Sequence, residues 1–178
     1  MNYRVAIICV GLLLSLSGTI MVSVQAANSV DIKIKGNLIL NPPCEITGVG
    51  SDSIEIDFGD MVIRNISYAN NRQLIPYNLK CDASDDTKVS LTVKGRSAIF
   101  ETTSTLMTSN KNLGIAFAST NEGSTTIRRL LLNTDPVLFT NKNRPDIYAY
   151  PVVNSNVSVN SITAGAFDAT ALLEASYP

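Results

Sequence analysis

The sequence predicts an all-β protein, a sandwich or barrel of short strands. Apolar and polar residues alternate with a period of two in one segment after another. Clusters rich in Asn, Asp, Gly, Pro and Ser separate those segments. No stretch shows the apolar spacing of an amphipathic helix, and strands at this spacing without helices point to a sandwich or barrel.

The elements follow in chain order. Residues 1–26, "MNYRVAIICVGLLLSLSGTIMVSVQA", carry one basic residue, Arg4, then an apolar run over 5–14, then small residues. Val24 and Ala26 suit a cleavage site, so 1–26 is expected to be a secretory signal. Ser15, Ser17, Gly18, Thr19 and Ser23 dilute the run, which argues against a membrane-spanning helix. The next segment, "NSVDIKIKGNLILNPPC", places Val30, Ile32, Ile34, Gly36, Leu38 and Leu40 in one alternating series. That is a half-buried strand, longer than the usual ~5–6 residues.

Ile54, Ile56 and Phe58 alternate in "SIEIDFGD"; Ile75, Tyr77, Leu79 and Cys81 in "QLIPYNLKC"; Val89, Leu91 and Val93 in "KVSLTVKG". "LGIAFAS", "IRRLLLN", "PVLFT", "DIYAYPVV" and "NVSVNSI" are further expected strands. The intervening "NPP", "DASDD", "TSNKN", "TNEGS" and "NKNRPD" are expected turns. In the last segment, "GAFDATALLEASYP", Phe167, Ala169, Ala171, Leu173, Ala175 and Tyr177 share one face. That row is apolar but small. Only Pro178 follows Tyr177, so no later strand is expected to fill the volume beside it.

Composition bounds the function. About 152 residues after the signal suffice for one domain with a real core. Removing Arg4 leaves 13 basic against 15 acidic residues, with no basic patch, so nucleic acid is not an expected partner. Cys9 leaves with the signal; Cys44 and Cys81 remain, and in an exported chain a disulfide between them is the default. There is no histidine, which removes the usual proton shuttle. Asp57, Asp60, Asp85 and Asp86 read as a strand face and a turn rather than acid pairs or calcium ligands. Gly36, Gly48 and Gly50 precede no helix, so no phosphate cradle is expected. Arg128-Arg129 reads as an exposed strand pair. "NIS" at 65–67 and "NVS" at 156–158 match a glycosylation sequon that is common by chance. Neither an enzyme, nor a cofactor, nor a bound metal, nor a small-molecule substrate is expected.

These features together resemble a pilin of the chaperone–usher class, as in type 1 and P pili. The resemblance rests on an export signal, an alternating apolar segment with Gly36 in register, and Cys44 followed some 37 residues later by Cys81. The end "AGAFDATALLEASYP" completes the pattern. "IKGNLILNPPCEI" and "ATALLEASYP" look most like minor, tip-fibre subunits of P-type pili. The resemblance implies an immunoglobulin-like sandwich lacking its last strand, whose open edge is a hazard until covered. A periplasmic chaperone would first lend a strand. At the outer-membrane usher, the N-terminal extension of a neighbouring subunit would then replace it, a form of β-augmentation.

On this resemblance residues 27–40 are the donor extension and residues 41–178 the pilin domain. Val30, Ile32, Ile34, Gly36, Leu38 and Leu40 are the donor set. Phe167, Ala169, Ala171, Leu173, Ala175 and Tyr177 line the acceptor groove, and Pro178 supplies the terminal carboxylate to the chaperone. Pro42-Pro43 departs from the pattern, because proline has no N–H and pairing should stop near Asn41. The expected role is a minor or adaptor subunit of a surface fimbria, exported through the periplasm and supporting adhesion. The alternative is a single-domain adhesin binding a host glycan or protein, with Tyr148 and Tyr150 as stacking candidates. A periplasmic chaperone of similar sandwich type is disfavoured by the short chain.

Overall fold

The computed structural model describes residues 32–38, 42–120 and 126–178. Val30, Leu40 and the expected signal peptide lie outside them. The chain divides into two units, Met1–Leu38 and Ile39–Pro178. In the first, residues 32–38 have no regular secondary structure, and Ile32, Ile34 and Leu38 are exposed.

The second unit is built from strands: β1 (Glu45–Gly48), β2 (Gln73–Leu74), β3 (Tyr77–Lys80), β4 (Lys88–Gly95), β5 (Ser97–Ala98) and β6 (Glu101–Met107). β7 (Leu113–Thr120), β8 (Ile127–Leu130), β9 (Val137–Thr140), β10 (Asp146–Val153) and β11 (Ala171–Ser176) follow. A short α-helix, α1 (Tyr68–Asn71), is started by Ser67, whose hydroxyl accepts from the Asn70 amide. One sheet has the order β2-β10-β7-β6-β5, with β8 also on β7; a second is β11-β4-β9; a third pairs β1 with β3. Every pairing is antiparallel.

Alternation explains the core. Val89, Leu91 and Val93 of β4 are buried together with Ile115 and Phe117 of β7 and Ile147 and Ala149 of β10. Leu106, Leu130, Leu132, Val137 and Ile75 join all of these except Val89 in one apolar cluster. Cys44 and Cys81 are disulfide-bonded where β1 meets the end of β3. Tyr77 packs at the cluster edge and donates its hydroxyl to the Pro145 carbonyl at 2.6 Å. Burial pushes its pKa up to about 12.

Several expectations are revised. "QLIPYNLKC" breaks at Ile75-Pro76: β2 pairs with β10 and β3 with β1, so one stretch serves two sheets. "SIEIDFGD" keeps its alternation of half-buried Ile54, Ile56 and Phe58 but joins no ladder. "NVSVNSI" forms a 3-10 turn at Val159–Ser161, fastened by the Ser158 hydroxyl accepting from the Asn160 amide. The terminal strand starts at Ala171, so Phe167 and Ala169 precede it. β6 escapes the periodicity reading because "ETTSTLM" is polar by composition. Ser104, Thr105 and Leu106 are buried in succession, so both faces of β6 are covered there, and Thr105 is fully buried.

Candidate functional site

The site grows from β11. Its register on β4 sets Ala171 opposite Gly95, Leu173 opposite Val93 and Ala175 opposite Leu91. Directly opposed residues share a sheet face. Ala171, Leu173 and Ala175 therefore project on the side where Leu91 and Val93 are buried. Leu172 and Glu174 project outward, where Glu174 meets Lys94 at 2.7 Å. That pair is exposed and worth at most ~1 kcal/mol.

The same alternation governs the backbone. The Val93 carbonyl accepts from the Asn133 amide, and the Asn133 side chain brackets the Gly95 N–H and C=O, all on the β9 side of β4. Ser90, Thr92 and Lys94 thus turn their backbone groups to β11, towards Ser176, Glu174 and Leu172. It follows that the backbone groups of Ala171, Leu173 and Ala175 point the other way. Among the described residues no strand pairs with that edge.

Beside this edge lies an open groove of about 1350 Å³. Its floor is the core itself: Ile75, Val93, Leu106, Ile115, Phe117 and Ala149. One wall is Ile54, Ile56 and Phe58; the other is Phe167, Ala169, Ala171 and Leu173. The wall residues Ile54, Ile56, Phe58, Phe167 and Leu173 pack on the core cluster yet are only partly buried. A sandwich closed on this side would bury them; here the volume of one strand is open, flanked by a strand edge whose backbone groups meet no partner strand among the described residues. Unpaired groups and uncovered apolar surface together are unfavourable.

Local chemistry holds the walls. Asp57 accepts from the Gly59 amide at 2.8 Å, and Gly59 has φ +59°, a conformation that costs glycine little. On the other wall the Asp168 N–H donates to the Ser109 hydroxyl at 3.0 Å, and the Asp168 carbonyl accepts from the Ser109 amide at 2.9 Å. Asn110 donates to the Thr163 carbonyl, tying the approach to β11 onto the β6–β7 turn.

The residues singled out from sequence separate as follows. Phe167, Ala169, Ala171 and Leu173 line the groove. Ala175 packs on the core farther along β11, Tyr177 is half-buried and Pro178 is exposed. The Tyr177 hydroxyl is buried without a hydrogen-bond partner among the described residues. The opposite wall of 54–58 was visible as an alternating segment, but nothing local marked it as a wall. Tyr150 stacks edge-on against Tyr68, ring centroids 4.8 Å apart, over Ala116 and Ala118 on the outer sheet face. Arg129 reaches Glu101 and Thr105, and Arg128 reaches Asp135. Among the described residues no cluster of three metal-ligating side chains occurs.

A family model described as fimbrial protein matches residues 32–178. Two relatives from Escherichia coli K12 are similar. The uncharacterized fimbrial-like protein YfcR is 25% identical over 155 residues, 87% of this chain and 85% of that one. YfcQ, also an uncharacterized fimbrial-like protein, is 34% identical over 73 residues, 39% of this chain and only 44% of its own length. In fold the chain is similar to the P pilus rod subunit PapA (TM-score 0.53, 20% identity, 83% of this chain and 100% of that chain). It is also similar to the P pilus adaptor subunit PapF (TM-score 0.50, 21% identity, 78% and 98%).

Proposed function

This chain belongs to the fimbrial protein family, and on that premise we propose that it is a pilin of the chaperone–usher class, a minor or adaptor subunit polymerised by donor-strand exchange. The observation that carries the proposal is the apolar groove beside the unpaired edge of β11, where Ala171 and Leu173 present both side chain and backbone to the missing strand. An incoming strand would pair with that edge and bury the walls. Full burial of one aliphatic side chain is worth ~1.5–3 kcal/mol, and each net ladder bond ~0.5–1.5.

In this reading 1–26 is the export signal, 27–40 the donor extension, and 41–178 the domain that receives a strand. Val30, Ile32, Ile34, Leu38 and Leu40 fill a neighbour's groove, with Gly36 where a side chain has no room. A periplasmic chaperone occupies the groove first, holding Pro178 by its carboxylate, and the outer-membrane usher is where the neighbour's extension takes over. The finished fimbria supports adhesion from the cell surface.

The test uses the mature subunit in complex with its chaperone. A synthetic peptide of residues 28–41 from a fimbrial partner should displace the chaperone and leave a far more heat-resistant subunit. A subunit that ignores every such peptide refutes the proposal. Ile34→Asp should leave the domain folded but block its attachment to the preceding subunit; normal incorporation into fibres would show that 28–40 is not the donor.

A further inference from the structure

The groove is apolar within and acidic at its rim. Asp52, Glu55 and Asp57 border one wall, Asp60 its far end and Asp168 the other wall. All five are exposed, and no lysine or arginine lines the groove among the described residues. The acids follow from the alternation that builds the walls. With Ile54, Ile56 and Phe58 turned inward, Glu55 and Asp57 must turn outward, along the track a bound strand would follow. A strand lying here would bring its own outward row between these carboxylates.

The chain carries one segment whose two rows match both features. In 28–40 the row containing Ile32, Ile34, Gly36 and Leu38 is apolar, and the alternate row contains Asp31, Lys33 and Lys35, a net positive charge. We propose that the occupant of this groove is the extension of a second copy of this chain, selected by the fit of Lys33 and Lys35 to the acidic rim. The inference rests on the donor-strand reading above and adds the partner to it: the chain is the minor subunit of that reading rather than an adaptor between unlike subunits, and it follows itself in the fibre. Apolar side chains set how well any donor fits. The charged rows set which donor arrives first, because a groove of one sign raises the on-rate of an oppositely charged partner. The rim is exposed, so the preference must weaken as salt screens it.

The test takes the full mature chain with Ile34→Asp, which keeps the groove but cannot donate, released from its chaperone in the presence of labelled peptides of residues 28–41. At about 50 mM salt the natural peptide should enter ~10-fold faster than its Lys33→Glu/Lys35→Glu form, and the ratio should shrink towards one at about 500 mM. Equal rates at low salt would overturn the selection while leaving donor-strand exchange standing. Failure of both peptides to enter would refute the donor-strand reading itself. The unmutated mature chain should grow into oligomers as its concentration rises. A chain that stays monomeric at every concentration and excludes the peptide would show that the extension fills its own groove, and would overturn the choice of a second copy.

Discussion

Phe58 and Phe167, one from each wall of the groove, pack against each other, ring centroids 6.3 Å apart and planes tilted by 31°. One belongs to a segment that joins no sheet, the other to the approach to β11. They are the point where the two walls meet. An aromatic pair at this spacing adds ~0.5–1.5 kcal/mol beyond its area. Phe58→Ala and Phe167→Ala should each destabilise the domain by about 1–3 kcal/mol. In a double-mutant cycle they should show a coupling of ~0.5–1.5 kcal/mol. Urea unfolding of the peptide-filled domain measures both, and strict additivity would mean the rings do not support one another.

The Cys44–Cys81 bridge closes 37 residues and fastens β1 to β3. Loop-closure entropy assigns it about 4 kcal/mol. Replacing both cysteines by serine should lower the thermal midpoint markedly, and reductant should do the same to the natural protein but not to the variant. An unchanged midpoint would show that β1 is held by its ladder and by Ile46 on the core.

Glu101 is a hydrogen-bond hub at the start of β6. Its carboxylate accepts from the Thr103 and Ser104 amides, the Thr103, Ser104 and Thr105 hydroxyls, and Arg129. Burial would raise its pKa, but the hydrogen bonds from Thr103, Ser104 and Thr105 outweigh it and hold it at about 2, below the ordinary 4.5. A depressed carboxylate contributes its stability above its unfolded pKa and loses it as pH falls through the folded one. The natural protein should therefore exceed Glu101→Gln in stability above pH 4.5, and the gap should close between 4.5 and about 2. Urea midpoints across that range test this; a gap independent of pH would mean the carboxylate charge is not what the hydroxyls hold.

Gly48 ends β1, and a Cβ there would overlap the Ser53 carbonyl oxygen, a backbone atom with little freedom to move. Gly48→Ala should cost ~1–3 kcal/mol. Gly36 has nothing within 4 Å, so Gly36→Ala should leave the stability of the domain unchanged. Any penalty at Gly36 should appear only when 28–40 acts as a donor, measured as slower entry of the substituted peptide into an empty groove.

How far the sequence led can be judged from particular elements. β4 coincides with the alternating segment "KVSLTVKG", whose Val89, Leu91 and Val93 write the burial of one face into every second residue; β10 coincides with the expected strand "DIYAYPVV", where Ala149, Tyr150 and Pro151 are buried in succession because both faces are covered. β6 left no such mark: its buried Thr105 is held through Glu101 and Arg129, partners 4 and 24 residues away. The turn at Val159–Ser161 shows the reverse error, since Val157 and Val159 alternate without a partner strand to pair with.

The amino-acid order by itself determined the strand-forming faces, the export-like start, the two cysteines available to pair, and the small apolar row of Phe167, Ala169, Ala171, Leu173 and Ala175. Only the tertiary structure decided that β11 lies on β4 with its far edge unpaired among the described residues, that 54–58 forms the facing wall, and that Pro76 hands the chain from one sheet to another. The division has a physical cause. Side-chain periodicity is a local consequence of which face is buried, whereas strand pairing is a choice among distant segments of similar pattern, and that choice is settled by how the whole core packs.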